Sequence, residues 1–462
     1  MVGVRGRLAA AAVLVVSLAA VPASAQVTAQ TLIGRAVSDD AQSKEVNAAI
    51  ARFRERDVDA CRAMLERAHN ANDKLPPPGV MMALLWLSVN QLGPARAELE
   101  DTVVKFPGDP EPYLMLADLA FQERRITDAD TLFERAAART TAFTANPKRK
   151  RDFEIRTNAG NAAVAEARRQ WEPARGFLDA WLKLDPDSAS GHQRLGVALF
   201  HLGQEKEALA EFTEARKLDA KAAQPELTLA RLYDEAKRHD EAQALVEKAV
   251  KASPEDPQVL LAAAQWYLGR NELEQAAARA DAALAIDAKS LEAKIVRGAI
   301  ARVARDYDTA EKFFDDAHVQ SPGNFPASNS LALVLAESDD QADLRRALEM
   351  AEANAKLHRE SSPQQINSLT TLAWVFYRLG RRDEAEKIIE QLSQNNALTS
   401  DGAFYAARML ADRGDTERAK DILEQVLPRE PVFASRADAE ELLNKLKKDA
   451  PQAPPPEPAK KP

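Results

Sequence analysis

Small residues recur along this chain at a fixed interval. Ala162, Gly196, Ala230, Ala264, Gly298 and Ala332 each stand 34 positions after the last, and Ala373 and Ala407 repeat the interval after one longer step. Twelve positions beyond the first five lies a second small column, Ala174, Ala208, Ala242, Ala276 and Ala310, continued by Ala347, Ala385 and Ala419. A third follows at Trp181, Ala215, Ala249, Ala283 and Ala317. Large apolar residues precede several of the small ones, as in Leu195-Gly196, Leu229-Ala230, Leu331-Ala332 and Leu372-Ala373. A 34-residue period with two such columns predicts a repeat of two short helices per unit. Small side chains let helix backbones approach closely, and Phe133, Phe212, Phe314 and Leu423, four positions after the second-column alanine, fill the space between.

The punctuation agrees with the period. Gly203, Gly380 and Gly414 fall between the two helices of a unit, where the chain is expected to leave the first helix through a left-handed residue that only glycine adopts cheaply. Pro186, Pro254, Pro322 and Pro431 mark the junctions between units. Ala220 and Ala288 replace the junction proline, and three extra residues lie around Ser338 to Asp343. Eleven more separate the third and fourth units. Ser435 followed by Asp438 reads as a capping box opening a last helix whose Leu442, Leu443 and Leu446 share a face, with Lys445, Lys447 and Lys448 at its C-terminal end. Beyond it, Pro451, Pro454, Pro455, Pro456, Pro458 and Pro462 leave no large apolar residue to bury, so the tail reads as a disordered spacer.

Leu195, Gly196, Leu199, Ala208, Phe212 and Ala215 form a pattern that resembles the tetratricopeptide repeat, best matched from Ile155 to Phe433. One further unit is marked by Tyr113, Leu116, Ala117, Ala129, Phe133 and Ala136, and weaker ones lie near 41–74 and 78–109. The resemblance implies an all-α fold, an α/α superhelical solenoid of about eleven helix pairs over residues 41–433. A capping helix over 434–449 and the tail over 450–462 follow it. The stretch Leu331 to Ala347, with Leu369 to Gly380, is similar to bacterial envelope tetratricopeptide proteins, including those of exopolysaccharide and protein-sorting systems.

The first residues read differently. Arg5 and Arg7 precede an apolar run from Leu8 to Val21, which Pro22 breaks before Ala23-Ser24-Ala25. That is the pattern of a Sec-type signal peptide over residues 1–25, and the run is shorter than the roughly 20 apolar residues of a membrane span. The expected mature chain starts at Gln26, with 26–40 as a linker, and is periplasmic or secreted with no transmembrane segment left after cleavage.

Composition narrows the function. A net charge of -9 opposes binding to a phosphate backbone, so nucleic acid is not an expected partner. The single cysteine, Cys61, excludes an intramolecular disulfide and any cage of several sulfurs, and reads as a buried, inert thiol. No G-x-x-x-x-G-K-[ST], H-E-x-x-H or G-x-S-x-G motif occurs, and no cofactor is expected. His192 and His201, nine apart on one helix, point to opposite faces and share no metal. Asp315-Asp316 and Asp339-Asp340 read as solvated acids rather than a glycosidase dyad. Lys148 to Arg151 reads as a solvated helix entry or an exposed loop, with an anionic polymer or headgroup as the alternative.

What remains is a groove. In tetratricopeptide arrays the first helix of each unit lines the concave face. The inward positions implied here are Phe121, Phe200, His201, Arg231, Arg302, Asn329, Trp374, Tyr377, Arg378, Phe404 and Arg408. Aromatic and arginine side chains are common interface anchors. The expected function is a noncatalytic periplasmic scaffold that binds a protein or extended peptide in the groove for envelope complex assembly. A carbohydrate-binding accessory of polysaccharide export is the alternative, with Trp374, Tyr377 and Phe404 stacking on sugars. The strongest patch is expected at Trp374, Tyr377, Arg378, Phe404 and Arg408.

Overall fold

The computed structural model describes residues 28, 29, 32, 40–358, 362–430 and 432–448. The expected signal peptide, most of the linker, Pro431 and the proline-rich tail lie outside the described residues. Within them every regular element is a helix, and there are 23. They alternate as first and second helices of eleven pairs, followed by a single terminal helix. No helix of the described residues is long and apolar enough to cross a membrane.

The chain divides into two compact bodies, residues 1–242 and 243–462. The first contains α1 (Asp40–Arg54), α2 (Val58–Ala71), α3 (Pro78–Ser88), α4 (Leu92–Lys105), α5 (Glu111–Gln122), α6 (Ile126–Ala142), α7 (Pro147–Ala167), α8 (Trp171–Leu184), α9 (Ala189–His201), α10 (Glu205–Leu218) and α11 (Pro225–Glu235). The division falls inside α12 (His239–Ala252). The second body continues with α13 (Pro257–Gly269), α14 (Leu273–Ile286), α15 (Leu291–Val303), α16 (Tyr307–Gln320), α17 (Phe325–Leu335), α18 (Gln341–Leu357), α19 (Pro363–Arg378), α20 (Arg382–Gln394), α21 (Ser400–Asp412), α22 (Thr416–Val426) and α23 (Arg436–Lys448). In the second body each first helix also packs on the next, α13 on α15, α15 on α17, α17 on α19, α19 on α21 and α21 on α23. That is the one-dimensional stacking of a repeat solenoid, in which a pair buries its apolar face only against its neighbours.

The starts of the helices are chemically specified. Asp57, Asn146, Ser188, Asp256, Ser290, Asn324, Asp340, Ser362 and Thr399 each accept a backbone N–H of the first turn. Such a cap contributes about 1 kcal/mol. Asp340 thus absorbs the three-residue insertion as a helix start. Ser435 immediately precedes α23, but its partner in the expected capping box, Asp438, pairs with Arg305 instead.

The turns correct one expectation. Gly203, Gly380 and Gly414 have φ of 78°, 77° and 90°, as foreseen, yet the same position in other units is held by Arg56, Asn90, Arg124, Arg169, Lys237, Asn271 and Arg305 at φ between 57° and 64°. In each the next residue's N–H reaches back across six residues, as in Arg125 N to Ala120 O (2.9 Å) and Arg381 N to Phe376 O (2.8 Å). This doubly bonded helix end fixes the left-handed residue whatever its side chain. Glycine is the cheapest occupant, not the required one.

Spacers and fillers meet as the columns predict. A methyl placed on Gly196 would lie 2.5 Å from the ring of Phe212, and one on Gly298 would lie 2.9 Å from Phe314. Phe133 finds its room one unit further on, where a methyl on Gly160 would fall 2.2 Å from the ring. Cys61 is buried, its thiol donating to Met82 Sδ at 3.6 Å, and burial pushes its pKa up to about 11.

The basic run opens a helix, one of its two expected settings: Lys148 to Arg151 lies within the first turns of α7, but Arg149 is buried rather than solvated. Its guanidinium meets Asp109 at 3.0 Å and Glu111 at 2.7 Å, and stands over the rings of Phe143 and Phe153. The charge that looked available to an anionic polymer is partly consumed in anchoring the elongated α7.

Candidate functional site

Four of the expected groove residues belong to the first body. Phe200, near the end of α9, is buried and packs edge-on against Tyr233 with ring centres 5.4 Å apart. Arg231 on α11 is exposed and pairs with Glu235 one turn along its own helix. Phe121, at the end of α5, is half-buried against the core, and His201 lies flat on Trp171, 3.9 Å between ring centres. His192 faces elsewhere, with Nδ1 2.6 Å from Glu211 and Nε2 2.9 Å from the carbonyl of Pro186.

The second body gathers the rest. Its first helices α15, α17, α19 and α21 carry Arg302, Asn329, the trio Trp374, Tyr377 and Arg378, and the pair Phe404 and Arg408. Trp374 is the hub. Its indole is stacked on Tyr405 at 4.2 Å and on Tyr377 at 5.3 Å, and Phe404 is tilted against it at 6.0 Å. The indole N–H donates to Glu337 at 2.8 Å. Trp374 and Phe404 are each only 5% exposed, and Asn329 is also buried. The aromatic anchors are therefore not an open patch: Trp374 and Phe404 form part of the body's own core, packed against each other and against Tyr405.

The polar side chains tie this core together. Arg378 donates to Glu337 at 3.2 Å, to Asp339 at 3.0 Å and to the carbonyl of Ser338 at 3.2 Å. Tyr377 donates to Asp412, which also pairs with Arg408 at 3.4 Å. Burial pushes the Glu337 carboxyl above the usual carboxylate range, against the pull of Trp374 and Arg378. Arg302 reaches from α15 to α21, where it donates to the Tyr405 hydroxyl at 3.3 Å and faces Asp401 at 3.5 Å. From the turn after α15, Arg305 meets Asp438 at 2.8 Å and Glu441 at 3.5 Å on α23. Burial raises the pKa of Tyr405 and of Asp438.

Tyr405, Glu337, Asp401, Arg305 and Asp438 are the residues that sequence reasoning missed. Glu337 and Arg378 carried a readable signal, since they occupy one repeat position at the ends of successive first helices and carry opposite charge. What stays open is a cleft of about 440 Å³ lined by Glu337, Trp374, Tyr377, Arg378, Gly380, Arg382, Phe404, Arg408 and Asp438. Arg382 and Arg408 are its exposed cations, at the mouth. The cleft can hold an extended chain segment between an aromatic floor and a rim of both charges.

Family models of the tetratricopeptide repeat match residues 199–265, 235–300 and 370–431. This chain carries tetratricopeptide repeats. Solved structures similar to it include yeast Tom70, at 15% identity and a TM-score of 0.37 over 89% of this chain and 96% of that one. A tetratricopeptide repeat protein from Parabacteroides merdae shares 15% identity at a TM-score of 0.37, over 64% of this chain and 99% of the other. YrrB, described as a tetratricopeptide protein with an unusual peptide-binding site, shares 21% at a TM-score of 0.28, over 42% and 97%. No curated protein matches the chain. Tetratricopeptide repeats build scaffolds for protein interaction, and the cleft of the second body is the one that the expected groove residues line.

Proposed function

We propose that the chain is a noncatalytic periplasmic scaffold, and that it takes up a protein or an extended peptide at the cleft of its second body to help assemble an envelope complex. The periplasmic part rests on the leader pattern of residues 1–25, two arginines, an apolar run and Ala-Ser-Ala. The binding part rests on one observation: the cleft combines a half-buried tyrosine with two exposed arginines on the concave side of adjacent repeats. Sugar stacking needs an open aromatic face, and the Trp374 indole has both Tyr377 and Tyr405 stacked on it, so the protein reading is favoured over polysaccharide.

The test uses residues at the mouth that do not hold the core. Arg382→Ala combined with Arg408→Ala is expected to weaken capture of a partner from envelope extracts by about 30-fold, or about 2 kcal/mol, with helical content unchanged. Unchanged affinity in a titration of that variant would move the site elsewhere. For the compartment, N-terminal sequencing of exported protein should begin at Gln26, and full-length chains fixed in the inner membrane would refute it.

A further inference from the structure

We propose that Arg302 and Arg305 form a latch that holds the groove of the second body shut over the Trp374 stack. The reading of the latch as a gate rests on the binding role proposed above, but the closure itself stands on geometry.

Neighbouring repeats in this body are tied at short range, as where Arg378 meets Glu337 across 41 positions. The two arginines do something else. Arg302 reaches a residue 103 positions away, and Arg305 reaches further, from the end of α15 to the terminal helix α23. Two complete helix pairs, α17 with α18 and α19 with α20, lie between the pair that α15 opens and the pair that α21 opens, so these bonds skip over neighbours instead of following the stack. They join α15 to α21 and α23 at the C-terminal end of the body.

The bonds have the character of a closure that opens readily. The outer pair is wet: Arg305 is 46% exposed, Asp438 27% and Glu441 74%, and exposed ion pairs of this kind contribute little to stability. The inner arginine is largely buried, yet both contacts given above exceed the usual length of a charge-assisted hydrogen bond. Tyr405, the partner of Arg302, is stacked on Trp374, and the cleft beside them is the part of the groove that the latch leaves uncovered. Asp438 belongs to both, since it pairs with Arg305 and lines the cleft.

The experiment is amide hydrogen exchange on the full chain with no partner present. Arg305→Asp and Asp438→Arg should each accelerate exchange at least tenfold in peptides of α21 and α23. Peptides of α5 in the first body and of α13 in the second should be unchanged. The paired variant, R305D with D438R, restores opposite charges across the same gap and should return exchange to the wild-type rate. Arg302→Lys, which keeps the charge and loses the fork, should open the same peptides. Unaltered exchange in the single variants would overturn the latch. So would acceleration extending to α13, which would make the contact a general brace, or failure of the paired variant to recover. Because exchange is read without a partner, a latch that behaves as stated while R382A with R408A leaves capture intact would refute the binding site and keep the closure.

Discussion

Gly298 and Phe314 provide the sharpest test of how the repeat packs. A methyl on Gly298 would sit 2.9, 3.0 and 3.0 Å from three ring carbons of Phe314, whereas carbon atoms rest at about 3.5–4.0 Å. Phe314 is 1% exposed, so its ring has little room to withdraw. Overpacking of this kind costs about 1–3 kcal/mol, and replacing a mid-helix glycine by alanine returns about 1 kcal/mol of helix propensity. Gly298→Ala is therefore expected to destabilise by about 0–2 kcal/mol, and Gly298→Leu by more. The decisive quantity is the coupling. Elsewhere the same two positions are filled by Ala407 with Leu423 and by Ala162 with Leu178, so an alanine spacer is compatible with a leucine filler. The variant G298A with F314L should be more stable than the sum of its single changes by about 1–2 kcal/mol. Gly176, mid-way along α8 with nothing near its Cβ position, is the control: Gly176→Ala should stabilise by up to about 1 kcal/mol. Urea unfolding followed by circular dichroism measures all five variants, F314L alone included. Additivity within about 0.5 kcal/mol at Gly298 and Phe314 would refute the spacer and filler account.

Arg124→Gly should stabilise the chain by about 0.5–1 kcal/mol, since it relieves a side chain at φ 60°, and Gly414→Ala should cost about as much; thermal melts compare the two. Arg149→Ala should destabilise the first body by about 3–5 kcal/mol in denaturant titrations, because it leaves Asp109 and Glu111 without their shared cation. The thiol of Cys61 gives a pH dependence of defined sign. Its folded pKa is raised from 9.0 to about 11, so the stability tied to the protonated thiol is complete below pH 9 and is lost as pH rises through 11. Cys61→Ala should remove up to about 2 kcal/mol of that alkaline loss in paired unfolding titrations at pH 8 and 11.

The helices, their pairing and the identity of spacers and fillers were legible because each is a local or one-period relation. Gly196 and Phe212 stand 16 positions apart in the sequence and touch in the fold. The left-handed turns were legible only where glycine marks them. Arg169 and Lys237 adopt the same backbone with no compositional trace, and only their 34-residue registry with Gly203 gives them away. The burial of Arg149 was hidden for another reason. A run of four cations looks solvated until Asp109 and Glu111, some 40 residues earlier, are known to fold beneath it.

The groove fails to be legible at a different level. A repeat register states which residues face inward, but the depth of the inward face depends on how far successive pairs close on one another. In the second body they close far enough for α15 to reach α21 and α23. Inward positions there divide into two kinds. Trp374 and Phe404, with most of their surface taken by other aromatic rings, report on the core, and truncating them should lower stability whether or not anything binds. Arg382 and Arg408 remain at the surface, and only they report on recognition without disturbing the fold. Tyr377 belongs to both kinds, stacked on Trp374 and lining the cleft, so its loss should change stability and capture together. An alanine scan that reads both quantities at these five positions should therefore separate them into core, shared and rim. A scan in which Trp374→Ala weakened capture without lowering the melting temperature would mean that the indole is free in solution and the groove open.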